Sequence, residues 1–358
     1  MKRSQNSKET NTAKEPLKSK LLGIVQKIRE LLFTEKGKKI FSVIILLIAS
    51  IIWGLAFSAQ KDAGELGGFT VGASRNLFAT LFLIPIIPLM DRLTKNGRGF
   101  ENSKSVSDVK NSELECKALT KNSNLKKIFD FTKPELIGGA ISGFFMTFAT
   151  ALQQNGIGDG TDAGKAGFIT ALYVVIVPIY ALFFRKKSPP KVWISVCIAV
   201  VGFYLLSVKS DFSIVPSDLL ILLCAFIFAG QIMTVDIFSP RCDGVRLSII
   251  QFATGFVLNW VFALILESPI SFSLIGENIL SLLFLGIFSS GIAYTLQVIG
   301  QRNLNPGVAS ILLSLESVFG AIGGALIFGE TMAPREIIGS AVVFSAVILS
   351  QIEFKKKI

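Results

Sequence analysis

Histidine is absent from this chain of 358 residues, and charged side chains make up only 17% of it. Without imidazole there is no His-based metal ligation, no His-activated nucleophile and no His proton relay. The four cysteines, Cys116, Cys197, Cys224 and Cys242, are scattered, with no C-x-x-C spacing and no second ligand type beside them. Neither a metal site, nor a cofactor, nor a Ser/Cys–His catalytic pair is expected, and the chain does not read as an enzyme. The shortage of charge is matched by an excess of apolar residues, 51% of the chain, with a mean hydropathy of +0.60. A soluble domain could not hide that much apolar surface. The net charge of +11 would point to nucleic acid in a soluble protein. Here the basic residues lie between apolar runs, where lipid and topology account for them, and no nucleic-acid partner is expected.

Apolar runs of about 20 residues recur, the length that crosses ~30 Å of hydrocarbon at 1.5 Å per residue. Ten spans are expected, near residues 40–60, 68–90, 134–155, 163–184, 191–208, 216–237, 246–266, 278–300, 306–329 and 335–354. The fold class is therefore an all-α membrane protein with the lipid bilayer as its surroundings. Residues 1–39 are polar and Lys-rich and lack the apolar core of a signal peptide. Within them Leu21, Leu22, Ile24, Val25, Ile28, Leu31 and Leu32 share one helical face, opposite Lys20, Lys27, Arg29 and Glu30. That pattern suits a helix lying in the membrane interface or a soluble lead-in helix. The one long connection, 91–133, is rich in Ser, Asn, Lys and Glu without apolar periodicity, and reads as a flexible loop. With the N-terminus inside, all but five of the 36 Lys and Arg fall in the inner segments. Lys61, Lys209 and Arg335 fall outside, and Arg75 and Lys165 within spans. The asymmetry places both termini in the cytoplasm.

The chain also repeats itself. Shifted by 144 positions, Leu152-Gln153 falls on Leu296-Gln297, Gly156 on Gly300, Thr170 on Ser314 and Gly202 on Ala346. Earlier in the chain, with a larger shift, Phe78-Ala79-Thr80 matches Phe252-Ala253-Thr254, the difference being the extra length of loop 91–133. The halves are 40–208 and 216–354, each of five spans. Five is odd, so the second half is expected upside down relative to the first. Inverted repeats are the architecture of alternating-access transporters, with the substrate near the midplane between them.

With these features the sequence resembles the drug/metabolite transporter superfamily, in its EamA-like ten-helix branch. The matching pieces are Ile51-Ile52-Trp53-Gly54, Arg75-Asn76-Leu77-Phe78-Ala79, Ala163 to Pro178, and Leu315-Glu316-Ser317-Val318 running to Gly329-Glu330, with Gly202 and Gly339 at small-residue positions. Ser317 stands where the family often has proline. The resemblance implies export or facilitated movement of small metabolites, commonly amino acids and their derivatives, across a bacterial inner membrane. A carrier of drugs or nucleotide-like compounds is the alternative within transport. A membrane sensor or scaffold using loop 91–133 or the N-terminal helix is the alternative outside it.

Glu316 is the leading candidate, an acid about mid-way through the ninth span, where an ionisable group is costly and usually functional. It could bind a cationic group of the substrate, take up a proton, or cap or pair permanently inside the bundle. Arg75 and Lys165 are the other deep charges, suited to attracting a carboxylate. Lys165 could instead snorkel to the interface, and Arg75 could hold a hydrogen-bond network. Opposite charges along one path suit a zwitterion. Gln153 and Gln297, at equivalent positions of the repeat, can bond a substrate or tie helices together. Trp53, Tyr173 and Tyr294 offer stacking walls. Asp236, ending the sixth span, reads as solvated. Two halves in one chain remove the need for a dimer without excluding one, so the oligomeric state stays open.

Overall fold

The computed structural model describes residues 34–89, 130–161, 163–207, 215–328 and 332–352, and every regular element among them is helical. The amphipathic stretch 21–32 and nearly all of loop 91–133 lie outside the described residues. In chain order the helices are α1 (Glu35–Asp62), α2 (Gly68–Leu83), α3 (Lys133–Gly158), α4 (Ala163–Ala171), α5 (Tyr173–Phe183), α6 (Pro190–Ser207), α7 (Pro216–Phe238) and α8 (Gly244–Leu266). They continue as α9 (Phe272–Glu277), α10 (Ile279–Leu283), a π-helical segment (Phe284–Tyr294), α11 (Thr295–Gln301), α12 (Pro306–Leu313), α13 (Glu316–Phe328) and α14 (Pro334–Gln351). Among the described residues, eight helical stretches are long and apolar enough to cross a membrane. Where the fifth span is expected there is a shorter apolar helix, Pro190–Leu206, and where the tenth is expected lies α14. The molecule is an all-α membrane protein.

Local sequence marks where the helices begin. A proline in the first turn, followed by an acid at the third helical position, opens α3 (Pro134, Glu135), α7 (Pro216, Asp218) and α14 (Pro334, Glu336). Proline has no N–H to leave unsatisfied there. The acids reach back to the backbone N–H of Thr132, Val215 and Ala333 at 2.8, 2.9 and 2.8 Å. Asn305 caps α12 through the Gly307 N–H at 3.0 Å.

Packing mixes the two ends of the chain. α1 lies against α11, α12, α13 and the π-helical segment; α7 lies against α3, α4 and α5; α2 pairs with α8, and α6 with α14. Several crossings are backbone to backbone, including two between glycines. A Cβ on Gly54 of α1 would sit 2.6 Å from the Gly320 nitrogen and 2.8 Å from the Glu316 carbonyl oxygen of α13. At the α6–α14 crossing, a Cβ on Gly202 would lie 2.9 Å from the Gly339 oxygen, and one on Gly339 would lie 2.7 Å from the Gly202 oxygen. In lipid, where helices gain little from the hydrophobic effect, such close approach is a main source of association. The apolar residues left outside, such as Phe183, Leu280 and Leu326, form the lipid-facing surface.

Candidate functional site

Between the helices lies a cavity whose space between atoms, open solvent included, is about 460 Å³. Trp53, Arg75, Gln153, Tyr173, Tyr294, Gln297 and Glu316 all line it. They come from α1, α2, α3, α5, the π-helical segment, α11 and α13, so no one stretch of sequence makes the site.

Arg75 is held from two directions. Its helix is preceded by Gly67, which has no side chain to cap the first turn, and neighbouring helices supply the acceptors. The Gly68 N–H donates to Asn155 Oδ1 at 2.7 Å. Phe69 and Thr70 N–H donate to Glu267 Oε1 and Oε2, both at 2.8 Å, and the Thr70 hydroxyl adds a bond of 2.7 Å. A carboxylate at a helix N-terminus is also favoured by the helix dipole. Two turns on, the Arg75 guanidinium donates from Nε to Ser290 Oγ and from Nη2 to Ser289 Oγ, each at 2.9 Å. Both serines lie in the π-helical segment, a conformation that recurs at functional sites. The Ser289 carbonyl meanwhile accepts from Trp53 Nε1 at 3.0 Å. The Trp53 ring packs on Tyr294 with centroids 4.6 Å apart and planes at 59°.

The amides form two ties, one of them reciprocal. Gln60 Nε2 donates to Gln153 Oε1 at 3.0 Å, and Gln153 Nε2 donates on to Thr170 Oγ1 at 3.0 Å. Gln231 and Gln297 exchange two bonds, of 3.3 and 3.1 Å. Glu316 opens α13 just after an interruption at Ser314–Leu315. The helix is interrupted here without a proline, through the tightened turn Ser317 N–H to Ser314 O at 3.3 Å. The Ser317 hydroxyl then ties the turn to the Gly167 carbonyl at 2.7 Å. Neither Glu316 Oε1 nor the Tyr173 hydroxyl has a well-formed hydrogen bond, although the two groups lie within interaction range of each other. Arg75 and Glu316 are both buried, 4% and 6% exposed, and form no ion pair with each other. An acid and a guanidinium thus share one cavity without pairing with each other.

Residues 215–351 match the EamA-like transporter family. A protein of Archaeoglobus fulgidus named an uncharacterized transporter is 28% identical over 88% of this chain and 87% of its own length. One of Methanothermobacter thermautotrophicus with the same name is 22% identical over 87% of this chain and 86% of its own. These matches support the likeness to the drug/metabolite transporter superfamily. A solved crystal structure at 15% identity has the same fold, with a TM-score of 0.64 over 87% of the transporter and 96% of that chain. The transporter is not an enzyme.

The remaining candidate, Lys165, does not line the cavity. Its Nζ is 2.5 Å from Asp218 Oδ2, and Asp218 also accepts from Thr161 Oγ1 at 3.1 Å. The pair ties the start of α4's span to the start of α7, so Lys165 in the transporter holds two helices at this point. Asp236 needs correcting too. It is 6% exposed, not solvated, and accepts from Lys186 Nζ at 2.5 Å. Arg185, in the left-handed conformation at φ 57°, turns the chain after α5 so that the next residue reaches α7. Replacing Lys186 by methionine strands that carboxylate. The expected loss is about 1–3 kcal/mol, below the cost for a fully buried pair because the ammonium is partly exposed. A lower melting temperature in detergent, restored by Asp236→Asn in the same chain, checks it.

Gln60 and Gln231 also line the cavity and carried the same signal as Gln153 and Gln297, an amide within or at the edge of an apolar run. Ser289 and Ser290 carried none, because serine is ordinary in membrane helices. Only the π-helical turn gives them a partner.

Proposed function

We propose that the protein carries small zwitterionic metabolites, amino acids or their derivatives, across the cytoplasmic membrane by alternating access. The observation that supports this most is that Arg75 and Glu316 line one cavity without pairing with each other. Two buried opposite charges left apart are costly, and a ligand bearing both an ammonium and a carboxylate supplies the missing partner of each. The amides and aromatic rings around them suit the polar and apolar parts of such a molecule.

The architecture we propose is ten spans in two inverted five-helix repeats, 40–208 and 216–354, with both termini in the cytoplasm. Several features support it. Spans one with eight and nine, and six with three and four, pack in corresponding ways. Gln153 and Gln297, 144 positions apart, each tie to an amide of the neighbouring span in their own half. The helix interruptions at Leu172 and at Ser314–Leu315 fall at nearly the same repeat position. The family match covers the second half as one unit. Export is the direction we propose, from the family likeness. Proton coupling through Glu316 is proposed on the carboxyl oxygen left without a well-formed hydrogen bond.

Counterflow in proteoliposomes tests the reading without any ion gradient. Vesicles are loaded with pools of unlabelled candidates, and trace labelled amino acids are added outside. Accumulation is expected with at least one amino-acid pool. Accumulation only with drug or nucleoside pools would replace the substrate class, and none with any pool, in folded protein, would turn attention to a sensor or scaffold.

A further inference from the structure

We infer that Ser289 and Ser290 are positioning residues, which clasp one edge of the Arg75 guanidinium and present its other edge to the cavity as a carboxylate anchor. The inference rests on the cavity being the transport site.

Guanidinium has five N–H donors in a fixed planar fork. The two serines take one hydrogen of Nε and one of Nη2, which are the donors on one side of the plane. That leaves both hydrogens of Nη1 and one of Nη2, the end-on pair that matches a carboxylate's two oxygens. Nη1 bonds no protein group, and Arg75 lines the cavity. The chemistry of the clasp matters as much as its geometry. An aspartate in place of either serine would orient the fork equally well but would neutralise it. Hydroxyls orient it and leave the full positive charge for the ligand.

The π-helical turn explains how neighbouring residues can both do this. Its i→i+5 bonding widens the turn, so adjacent side chains diverge less than on an α-helix. Ser289 and Ser290 therefore address a single guanidinium. Glycines keep the segment close to α2: a Cβ on Gly286 would meet Phe78 and lie 3.1 Å from the Arg75 carbonyl oxygen. Ser289 also fixes Trp53 through its carbonyl, so one turn sets both the cation and an aromatic wall.

The test is nitrogen-15 NMR of the full chain in nanodiscs, with labelled arginine. The Arg75 Nε–H signal is identified by its absence in Arg75→Lys. In wild type it is expected to exchange slowly with water. In the double variant S289A/S290A, exchange is expected to quicken by about tenfold or more, the scale of one hydrogen bond to a charged group; S289T/S290T should restore it. A pool of amino acids is expected to shift the wild-type signal, and the pool of amines lacking only their carboxylates is not. In the double alanine variant the amino-acid shift should need about tenfold more ligand.

Unchanged exchange in the double alanine variant, or equal shifts from both pools, would overturn the inference. Counterflow with the same pools separates it from the transport reading. Amino acids that shift Arg75 but are not moved leave the anchor standing and remove the transport reading. Amino acids that are moved without shifting Arg75 do the reverse.

Discussion

Glu316→Gln is expected to slow amino-acid counterflow by roughly 10- to 100-fold, the worth of one hydrogen bond to a charged group, ~1.5–3 kcal/mol. Glutamine has the same shape, so it fits the turn after Ser314–Leu315 and leaves the Ser317 bond to Gly167 in place. On the proposed reading, what it removes is the carboxylate that would meet the substrate's ammonium. The fold should not suffer. A buried carboxyl oxygen without a well-formed hydrogen bond is a cost to the empty protein, so the melting temperature of the variant should hold or rise. Lost counterflow with retained stability is the signature of a binding group, whereas a structural acid would lose both. Proton coupling adds a second expectation. Wild-type transport driven by a pH gradient should give way in the variant to counterflow that does not change with pH. Counterflow at the wild-type rate, with the same pH dependence, would remove Glu316 from the mechanism.

The other large effect is expected at Gly54. Its Cβ position is 2.6 Å from the Gly320 nitrogen and 2.8 Å from both the Glu316 oxygen and the Phe319 carbonyl carbon. All three are backbone atoms, so no side chain can step aside. Any substitution has to push α1 off α13 at the residue that carries the cavity's acid. Gly54→Ala is expected to cost about 1–3 kcal/mol, the usual cost of overpacking, and to lower counterflow with it. Gly54→Leu needs a much larger separation and is expected to yield no monodisperse protein from detergent. Gly164→Ala is the control. A Cβ there meets nothing within 4 Å, and its stability and counterflow should match wild type. A Gly54→Leu protein that melts and transports normally would mean that α1 and α13 do not cross as described.

Membrane character needed no tertiary information. Apolar runs long enough to span hydrocarbon leave a helix as the only way to satisfy the backbone, and the starts of α3, α7 and α14, a proline followed by an acid at the third helical position, are local signals that hold wherever the helix packs. The costly groups were legible for the same reason. A carboxylate, a guanidinium or an amide inside an apolar run stands out against its surroundings, which is why Glu316, Arg75, Gln153 and Gln297 could be named in advance. By that argument alone Lys165 ranked beside Arg75, and Asp236 ranked below both.

What sets them apart is the partner each one finds, and partners come from far along the chain. Lys165 meets Asp218, 53 residues away, whereas Arg75 meets two neutral serines more than 200 residues away. One cation is spent on holding helices together and the other keeps its charge. The first turn of α2 is likewise capped by Glu267, nearly 200 residues on. Hydrophobicity and periodicity are properties of neighbouring residues, so the sequence by itself determined a bundle of apolar helices with a few charges buried in it. Whether a buried charge is paired off or left facing a cavity depends on which helices touch, at which turn and with how wide a winding. Only the tertiary structure decided that.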